Sequence, residues 1–300
     1  MSQTSENVPN QVFNEVPPHT GEFNRILRVM FSRKVVLIGA VIIVLMILVA
    51  IFAPWLAPYD PYENNLSEHL QPPSSTHLLG TDNLGRDTLS RLIFASRTSL
   101  MVGFVSIFIA ATLGMSLGLM AGYYGGILGA VIMRLIDALM SFPMILLALV
   151  IAAMLGGGLS NVMIAIGIGL TAVYARLMFG QVLAIKENDY ITASRATGAN
   201  NLRIMARHVF PNSFPTMIVL VTMQMGAAIL AEAGLSFLGV GIAPPGASWG
   251  SMVNDGYKFL LFTPVLSFAP GVAIMLIVFS FNMVGDGLRD ALDPRLRGTL

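Results

Sequence analysis

The sequence predicts an all-α membrane protein that crosses the bilayer about six times. Of its 300 residues, 55% are hydrophobic and only 11% are charged, whereas a soluble domain carries about 25% charged residues. Several charge-free stretches are long enough to cross a hydrocarbon core of ~30 Å, and short polar segments separate them. A chain of this composition must place most of its surface against lipid or against other apolar helices.

The first predicted span covers residues 35–53, and a polar tail, residues 1–33, precedes it. Arg33 and Lys34 flank the span, and positive residues are retained on the cytoplasmic side of the membrane. Over the whole chain, Lys and Arg assigned to that side outnumber those on the other side by thirteen to four. We therefore expect both termini in the cytoplasm, and residues 34–97 are predicted to form the first helix and an external loop.

A distinctive polar stretch, residues 77–92, lies in the predicted external loop. Asp82 and Gly85 indicate a turn, and Asp87 is a suitable N-cap for a helix that runs towards Arg97. The stretch contains a Gly-Thr-Asp-x-x-Gly-Arg-Asp pattern formed by Gly80, Thr81, Asp82, Gly85, Arg86 and Asp87. Taken alone, this pattern is also typical of a plain turn in which the arginine pairs with an aspartate.

Residues 98–285 are predicted to form the membrane core, which contains five further spans. Those spans are residues 99–122, a third from about residue 127 that the Ser-Phe-Pro sequence at 141–143 kinks, 161–180, 212–231 and 259–285. A Gly- and Pro-rich external segment, residues 235–258, separates the last two. Residues 286–300 are predicted to form a charged cytoplasmic tail.

The second predicted span carries glycines at four-residue intervals, at Gly114, Gly118 and Gly122. On a helix they form a smooth groove that allows close packing of a second helix. The sequence leaves open whether that second helix belongs to this chain or to a partner.

The third predicted span contains the charged residues Arg134 and Asp137. At i and i+3 they share a helix face and can neutralise each other. Charges at membrane depth mark transport paths or structural ion pairs. The sequence favours a structural pair close to the cytoplasmic interface.

A long polar, charged segment inside the apolar sequence covers residues 190–211. Gly198 and Asn200 predict a short helix, a turn and a second helix. Pro211 is predicted to end the second helix, because proline lacks the N–H donor. The segment, with residues 186–189 leading into it, therefore lies at a membrane surface between two spans.

This segment resembles the coupling loop of bacterial ABC-importer permeases. That pattern is Glu-Ala-Ala, three residues, Gly, nine residues and Ile-x-Leu-Pro. Thr192, Ala193 and Ser194 occupy the first three positions, so the acidic residue is absent. Gly198 and Pro211 match, while the Ile is missing. The Gly-Thr-Asp-x-x-Gly-Arg-Asp stretch and the C-terminal tail resemble the dipeptide, oligopeptide and nickel branch of the same permeases.

The resemblance implies the type I importer permease fold in the cytoplasmic (inner) membrane of a bacterium. The implied partners are membrane lipid, a second homologous permease, two ATP-binding subunits that hold ATP and Mg²⁺, and a periplasmic or surface solute-binding protein. Di- or oligopeptides are the implied substrates, with nickel or glutathione as alternatives. The residues that the resemblance places at the ATPase contact are Tyr190, Thr192, Ala193, Ser194, Arg195, Gly198, Arg203 and Pro211. Arg195 and Arg203 are the expected partners of acidic ATPase groups.

Several functions lack their sequence signals. There is no P-loop pattern, so we expect neither an ATPase site nor a cofactor in this chain. The four His residues have no metal-ligand spacing and Cys is absent, so no metal site is predicted. Lys and Arg do not gather into a basic stripe, which argues against a nucleic-acid partner.

Two other functions are compatible with parts of the sequence. A stand-alone secondary transporter needs ionisable groups near the bilayer centre, and only Asp137 and Glu232 come near it. An intramembrane enzyme is suggested by the Gly-x-Ser-x-Gly string around Ser248. That string follows a proline pair in a loop, whereas a nucleophile elbow requires a strand, a turn and a helix.

Overall fold

The computed structural model of the protein describes Met30 and residues 33–292. Within this part of the chain the regular elements are helices, apart from one isolated bridge in the loop that follows the first span. Five helices are long and apolar enough to cross a membrane, and a bent helix pair can form a sixth crossing. The predicted all-α membrane architecture is confirmed. Most of the two predicted tails lies outside the described residues.

The helices follow the apolar stretches, because a bilayer requires each backbone N–H and C=O to be paired within the segment. They are α1 (Lys34–Ile51), α2 (Ala53–Leu56), α3 (Thr88–Tyr124), α4 (Gly126–Met140), α5 (Met144–Met154), α6 (Leu159–Lys186), α7 (Asp189–Ala196), α8 (Asn201–Phe237), α9 (Trp249–Tyr257) and α10 (Val265–Leu292). Helix α8 includes one π-helical turn, Met205–Val209. We call residues 57–87, between α2 and α3, the loop module.

Helix α3 is longer than the sequence indicates. A short loop helix and a separate span from residue 99 were expected, but one 37-residue helix covers both. Asp87 caps it, since its Oδ2 accepts the backbone N–H of Ser90 at 2.8 Å. No Gly or Pro occurs between Thr88 and Val102, so nothing interrupts the helix where the polar and apolar parts meet. The predicted core boundary at residue 98 therefore falls inside a helix.

The third predicted span consists of α4 and α5, which are bent by 93° relative to each other. The bend lies at residues 141–143, and Pro143 is the extended residue before α5. The kink is thus where the Ser-Phe-Pro sequence predicts it. Because the bend is 93°, α4 and α5 are two separate helices.

Pro211 does not end a helix, contrary to the prediction. In the preceding π-helical turn, the N–H of Phe210 bonds to the carbonyl of Met205, five residues back. The α-helical ladder restarts at Phe210, so Pro211 occupies a first-turn position. No N–H donor is needed there, which removes the usual cost of a proline.

The described ends of the chain lie together. Arg33, before α1, forms a 2.6 Å ion pair with Asp290 near the end of α10. Helix α10 reaches Leu292, so the first part of the predicted tail, residues 286–292, is helical. This arrangement requires the chain to cross an even number of times between Arg33 and Asp290. Which side of the membrane holds this end stays a prediction.

Helices α3 and α6 pack closely along the predicted glycine groove. A Cβ added to Gly114 would lie 2.5 Å from the carbonyl oxygen of Thr171. At Gly118 the corresponding distance to the carbonyl oxygen of Ala175 is 2.3 Å, and a Cβ added to Gly122 would lie 2.8 Å from the Cβ of Val182. The groove is therefore filled by a helix of the same chain, which settles the alternative that the sequence left open.

Replacing Gly118 with Ala is expected to destabilise the protein by about 1–3 kcal/mol, because the new methyl group overlaps the α6 backbone. The matched control is Gly180→Ala on α6, where an added Cβ meets nothing within 4 Å. The midpoint of thermal unfolding, followed by size-exclusion chromatography in detergent, measures both. Equal midpoints for the two variants would contradict the packing described here.

Candidate coupling site and loop module

Helix α7 presents short side chains outward. Ile191 is fully buried and anchors the helix to the bundle. Thr192, Ala193 and Ala196 are exposed, and Ser194 is partly exposed. Few long side chains therefore project from the exposed surface of α7. Another protein can approach the helix backbone closely there.

A glycine turn joins α7 to α8. Gly198 has φ +84°, in the left-handed region that favours glycine. Its N–H donates to the carbonyl of Arg195 at 3.0 Å, and the N–H of Ala199 donates to that of Ser194 at 3.1 Å. This pair of bonds is a Schellman motif. Asn200 then caps α8 by accepting the N–H of Arg203 at 2.8 Å, so the turn is fixed at both ends.

Tyr123, at the end of α3, holds both sides of this turn. The guanidinium carbon of Arg195 lies 5.6 Å from the centroid of the Tyr123 ring. The Tyr123 hydroxyl donates to Asn201 Oδ1 at 3.0 Å. Lys186 adds a third link, since its Nζ donates to the carbonyl of Gly122 at 3.2 Å. Helix α7, the start of α8 and the end of α3 therefore form one connected unit, which we call the Tyr123 bracket.

The bracket changes the expectation for the two arginines. Arg195 already contacts an aromatic ring of its own chain, so it is less available to a partner than the sequence suggested. Arg203 is exposed and has no acidic partner in the part of the chain that the structure describes. Sequence reasoning gave no functional role to Tyr123 or Asn201; the one signal was a Tyr-Tyr-Gly-Gly segment that interrupts a long charge-free run.

A second contact joins α7 to the π-helical turn of α8. The Ser194 hydroxyl lies 3.5 Å from His208 Nε2, and the rings of Tyr190 and His208 have centroids 6.3 Å apart. His208 occupies the position of the family pattern's Ile, so its role in holding α7 could not be predicted from that pattern.

The Gly-Thr-Asp-x-x-Gly-Arg-Asp stretch builds the interior of the loop module. Asp82 accepts the N–H groups of Leu84 and Arg86 at 2.8 and 3.0 Å, and its other oxygen accepts Arg86 Nε at 2.7 Å. A Cβ on Gly85, which has φ +73°, would lie 1.7 Å from the carbonyl oxygen of Asn65. The arginine–aspartate pair of the plain-turn interpretation is thus present, and it is buried.

The module is also joined to α3. Asp87 Oδ1 lies 2.9 Å from His77 Nδ1, while its Oδ2 accepts the Ser90 hydroxyl at 2.7 Å. Thr81 donates its hydroxyl to the backbone carbonyl of Glu68 and accepts the N–H of Gln71. The motif residues therefore bond to one another and to the helix start, which explains their spacing structurally.

A buried carboxylate connects three helices near the loop-module end. Glu232 of α8 is 1% exposed. Its oxygens lie 2.6 Å from the Ser236 hydroxyl and 3.5 Å from that of Ser99 in α3. Ser99 also accepts the backbone N–H of Trp249 at 3.2 Å, which ties in α9. The arrangement encloses the carboxylate among hydroxyl donors.

Ser248 is part of a helix cap. It accepts the N–H of Ser251 at 3.2 Å and donates to Ser236 at 3.3 Å. Because residues 33–292 contain no strand before it, the strand–turn–helix of a nucleophile elbow is absent there. Nor do these residues contain a cluster of three or more His, Cys, Asp or Glu suited to a metal ion.

Asp137 has two arginine neighbours. Arg134 Nη1 lies 4.0 Å from Asp137 Oδ2, whereas Arg176 of α6 donates a hydrogen bond directly to Oδ1. Residue 176 falls inside the predicted span 161–180 and was counted with the cytoplasmic positive residues. Its pairing with Asp137 was missed because the two residues are 39 positions apart, and α6 continues ten residues beyond residue 176, to Lys186. Omitting Arg134 and Arg176 from the positive-residue count changes thirteen to eleven, against four, so the orientation expected from it is unaffected.

Residues 114–298 match the family described as binding-protein-dependent transport system inner membrane component. The chain belongs to this family. Residues 22–73 also match the N-terminal TM domain of oligopeptide transport permease C. The family match spans α4 to α10 and the last eleven residues of α3, and so includes the Tyr123 bracket. It supports a multi-pass protein of the bacterial inner membrane, as predicted, and it does not support the stand-alone secondary transporter or the intramembrane enzyme.

Curated relatives of this chain are named as permease proteins of transport systems. The chain is 42% identical over 289 residues to the dipeptide transport system permease protein DppC of Alkalihalophilus pseudofirmus, covering 96% of this chain and 94% of the relative. It is 41% identical over 264 residues to the glutathione transport system permease protein GsiD of Escherichia coli O1:K1 / APEC, covering 87% and 86%.

The fold is also found in a solved ABC importer. The inward-facing MetNI methionine ABC transporter aligns with a TM-score of 0.57 at 20% identity, over 68% of this chain and 97% of that chain. At this identity the likeness shows the fold alone. It confirms the expected importer permease architecture.

Replacing Tyr123 with Ala should loosen α7, because it removes the cation–π contact and the hydrogen bond to Asn201 together. These contribute about 0.5–1 and 0.5–1.5 kcal/mol, so trypsin should cleave after Arg195 and Arg203 roughly tenfold faster. Tyr123→Phe keeps the ring and should lie between the two. Tyr257→Ala, at the opposite end of the bundle, is the control. Cleavage at wild-type rate in Tyr123→Ala would show that the bracket does not hold α7.

Proposed function

We propose that this chain is one permease subunit of an ATP-driven importer of peptides, and that it forms the translocation pathway with a second, homologous permease. The observation that carries the proposal is the 42% identity to a dipeptide permease over 96% of the chain. The family description supports a transport system that depends on a binding protein.

The substrate class is a short peptide. A dipeptide permease and a glutathione permease match at 42% and 41% identity, and glutathione is itself a modified tripeptide. Dipeptides or oligopeptides are the primary proposal because that relative covers more of the chain. Glutathione is the second candidate.

Helix α7 is the coupling helix in this proposal. The exposed face of α7, with its short side chains, would fit into a groove of an ATP-binding subunit. The exposed Arg203, at the start of α8, would pair with an acidic group there. The Tyr123 bracket would pass the displacement of α7 to α3. The loop module and α9 would then face the solute-binding protein from the opposite end of the bundle.

ATP and Mg²⁺ would be held by the separate ATP-binding subunits, two per complex. The chain itself would supply no ATPase site, since it contains no Gly-rich P-loop sequence to bind the phosphates. In this arrangement α7 and both termini lie in the cytoplasm, in agreement with the bias of positive residues.

Affinity purification of the tagged chain in mild detergent tests the assembly. We expect a second permease and ATP-binding subunits to co-purify in near-stoichiometric amounts. Proteoliposomes containing that complex and its solute-binding protein should accumulate a labelled dipeptide only with ATP on the α7 side. A chain that purifies alone and transports without ATP would overturn the proposal. Uptake of glutathione in place of dipeptide would select the second candidate.

Replacing Ala193 with Trp should block assembly with the ATP-binding subunits, because a large side chain would prevent close approach to α7. We expect at least a tenfold loss of co-purified ATP-binding subunit, equivalent to about 1.4 kcal/mol. Leu261→Trp, at an exposed position after α9, is the control. Undiminished recovery of the ATP-binding subunits with Ala193→Trp would remove α7 from the contact.

A further inference from the structure

Three charged side chains lie within the apolar helices α4 and α6. Asp137 is hydrogen-bonded to Arg176 and lies 4.0 Å from Arg134. The group carries two positive charges and one negative charge. Arg176 takes the close contact with the carboxylate, so the guanidinium of Arg134 is only weakly engaged. Its side chain is 87% exposed.

These charges are well inside the helices. Arg176 precedes the end of α6 by ten residues, which is ~15 Å along the axis, and Arg134 is about 12 Å from the start of α4. The end of α6 and the start of α4 both lie at the α7 end of the bundle. Lys186, the last residue of α6, bonds to the end of α3, and α4 begins directly after α3. The two arginines are therefore at a similar depth.

One face of α4 is buried and the other is open. Ile132 and Ile136 pack against α3 and α6. On the opposite face, Val131 is 53% and Leu135 is 63% exposed, and Arg134 lies between them. A charged side chain facing hydrocarbon is costly, so such residues face a bundle interior or a water-filled cavity. The guanidinium of Arg134 is not enclosed by this chain, which favours a water-filled cavity at this face of α4 in the assembled transporter.

The excess positive charge selects an anion. A guanidinium offers parallel N–H donors that fit a carboxylate in a bidentate manner. Peptides with a free C-terminus carry such a group. The step from an anion to a peptide carboxylate rests on the proposed function, whereas the open, positively charged face of α4 does not.

We propose that Arg134, positioned beside the Arg176–Asp137 pair, forms a subsite in the translocation pathway that binds the carboxylate of the transported solute. The subsite lies in the half of the pathway nearer α7. Asp137 holds Arg176 and balances one charge, which leaves Arg134 as the group that contacts the solute.

The absence of cysteine from the chain allows a direct test. In the purified complex, Val131→Cys places a single thiol of this chain one turn from Arg134. Its reaction rates with sulfonatoethyl and trimethylammonioethyl methanethiosulfonate, followed by mass spectrometry of this chain, report the local charge. Adding Arg134→Gln should lower the anion-to-cation rate ratio about tenfold, because a unit charge ~6 Å away in water changes each rate about threefold in opposite directions.

Arg134→Lys should keep the ratio, and Leu261→Cys at the far end of the bundle should be insensitive to position 134. Excess dialanine should slow the anionic reagent at Val131→Cys, and dialanine amide should not. The subsite is overturned if Val131→Cys reacts with neither reagent, if Arg134→Gln leaves the ratio unchanged, or if the amide protects equally. ATP-dependent dipeptide uptake is measured with the same complex. If uptake persists while the thiol results contradict the subsite, the subsite fails and the proposed function stands.

Discussion

The close packing of α3 on α6 is the constraint on which the rest of the structure depends. At Gly118 the two backbones approach so closely that no side chain fits between them. The packing sets the ends of both helices side by side, so that Lys186 reaches the carbonyl of Gly122 and Tyr123 lies against the segment that follows α6. A shift of either helix would separate these groups. The position of α7 is therefore a consequence of the glycine groove.

The same packing determines what α7 can transmit. Arg195 and Asn201, on either side of the glycine turn, both contact Tyr123, and His208 holds α7 from the side of α8. A force applied to α7 thus reaches α3 and α8 through polar and aromatic contacts. At the other end of the bundle, Ser99 and Glu232 join α3 and α8 again, together with α9. Helices α3 and α8 are therefore linked through side chains at both ends of the bundle.

The sequence predicted the helical membrane class, the glycine groove, the bend before α5 and the glycine turn after α7, because each depends on local residue types. The predictions from sequence were wrong or incomplete where the structure of a residue depends on a neighbouring element. Pro211 was taken as a stop, but the π-helical turn places it in a first turn. Arg176 was counted only as a cytoplasmic positive residue, but α6 continues past it and Asp137 pairs with it. Tyr123, which contacts Arg195, and Ser99, which contacts Glu232, are distant in sequence from those residues, so no local pattern could reveal these contacts.

In the proposed transporter, α7 and α3 move together through the Tyr123 bracket. The most direct test is the ratio of ATP hydrolysed to dipeptide transported in proteoliposomes containing the complete complex with Tyr123→Ala. We expect hydrolysis to persist while transport falls, so that the ratio rises at least tenfold above wild type, and Tyr123→Phe should lie between them. An unchanged ratio in Tyr123→Ala would contradict the claim, because the bracket would then carry no motion between the two helices.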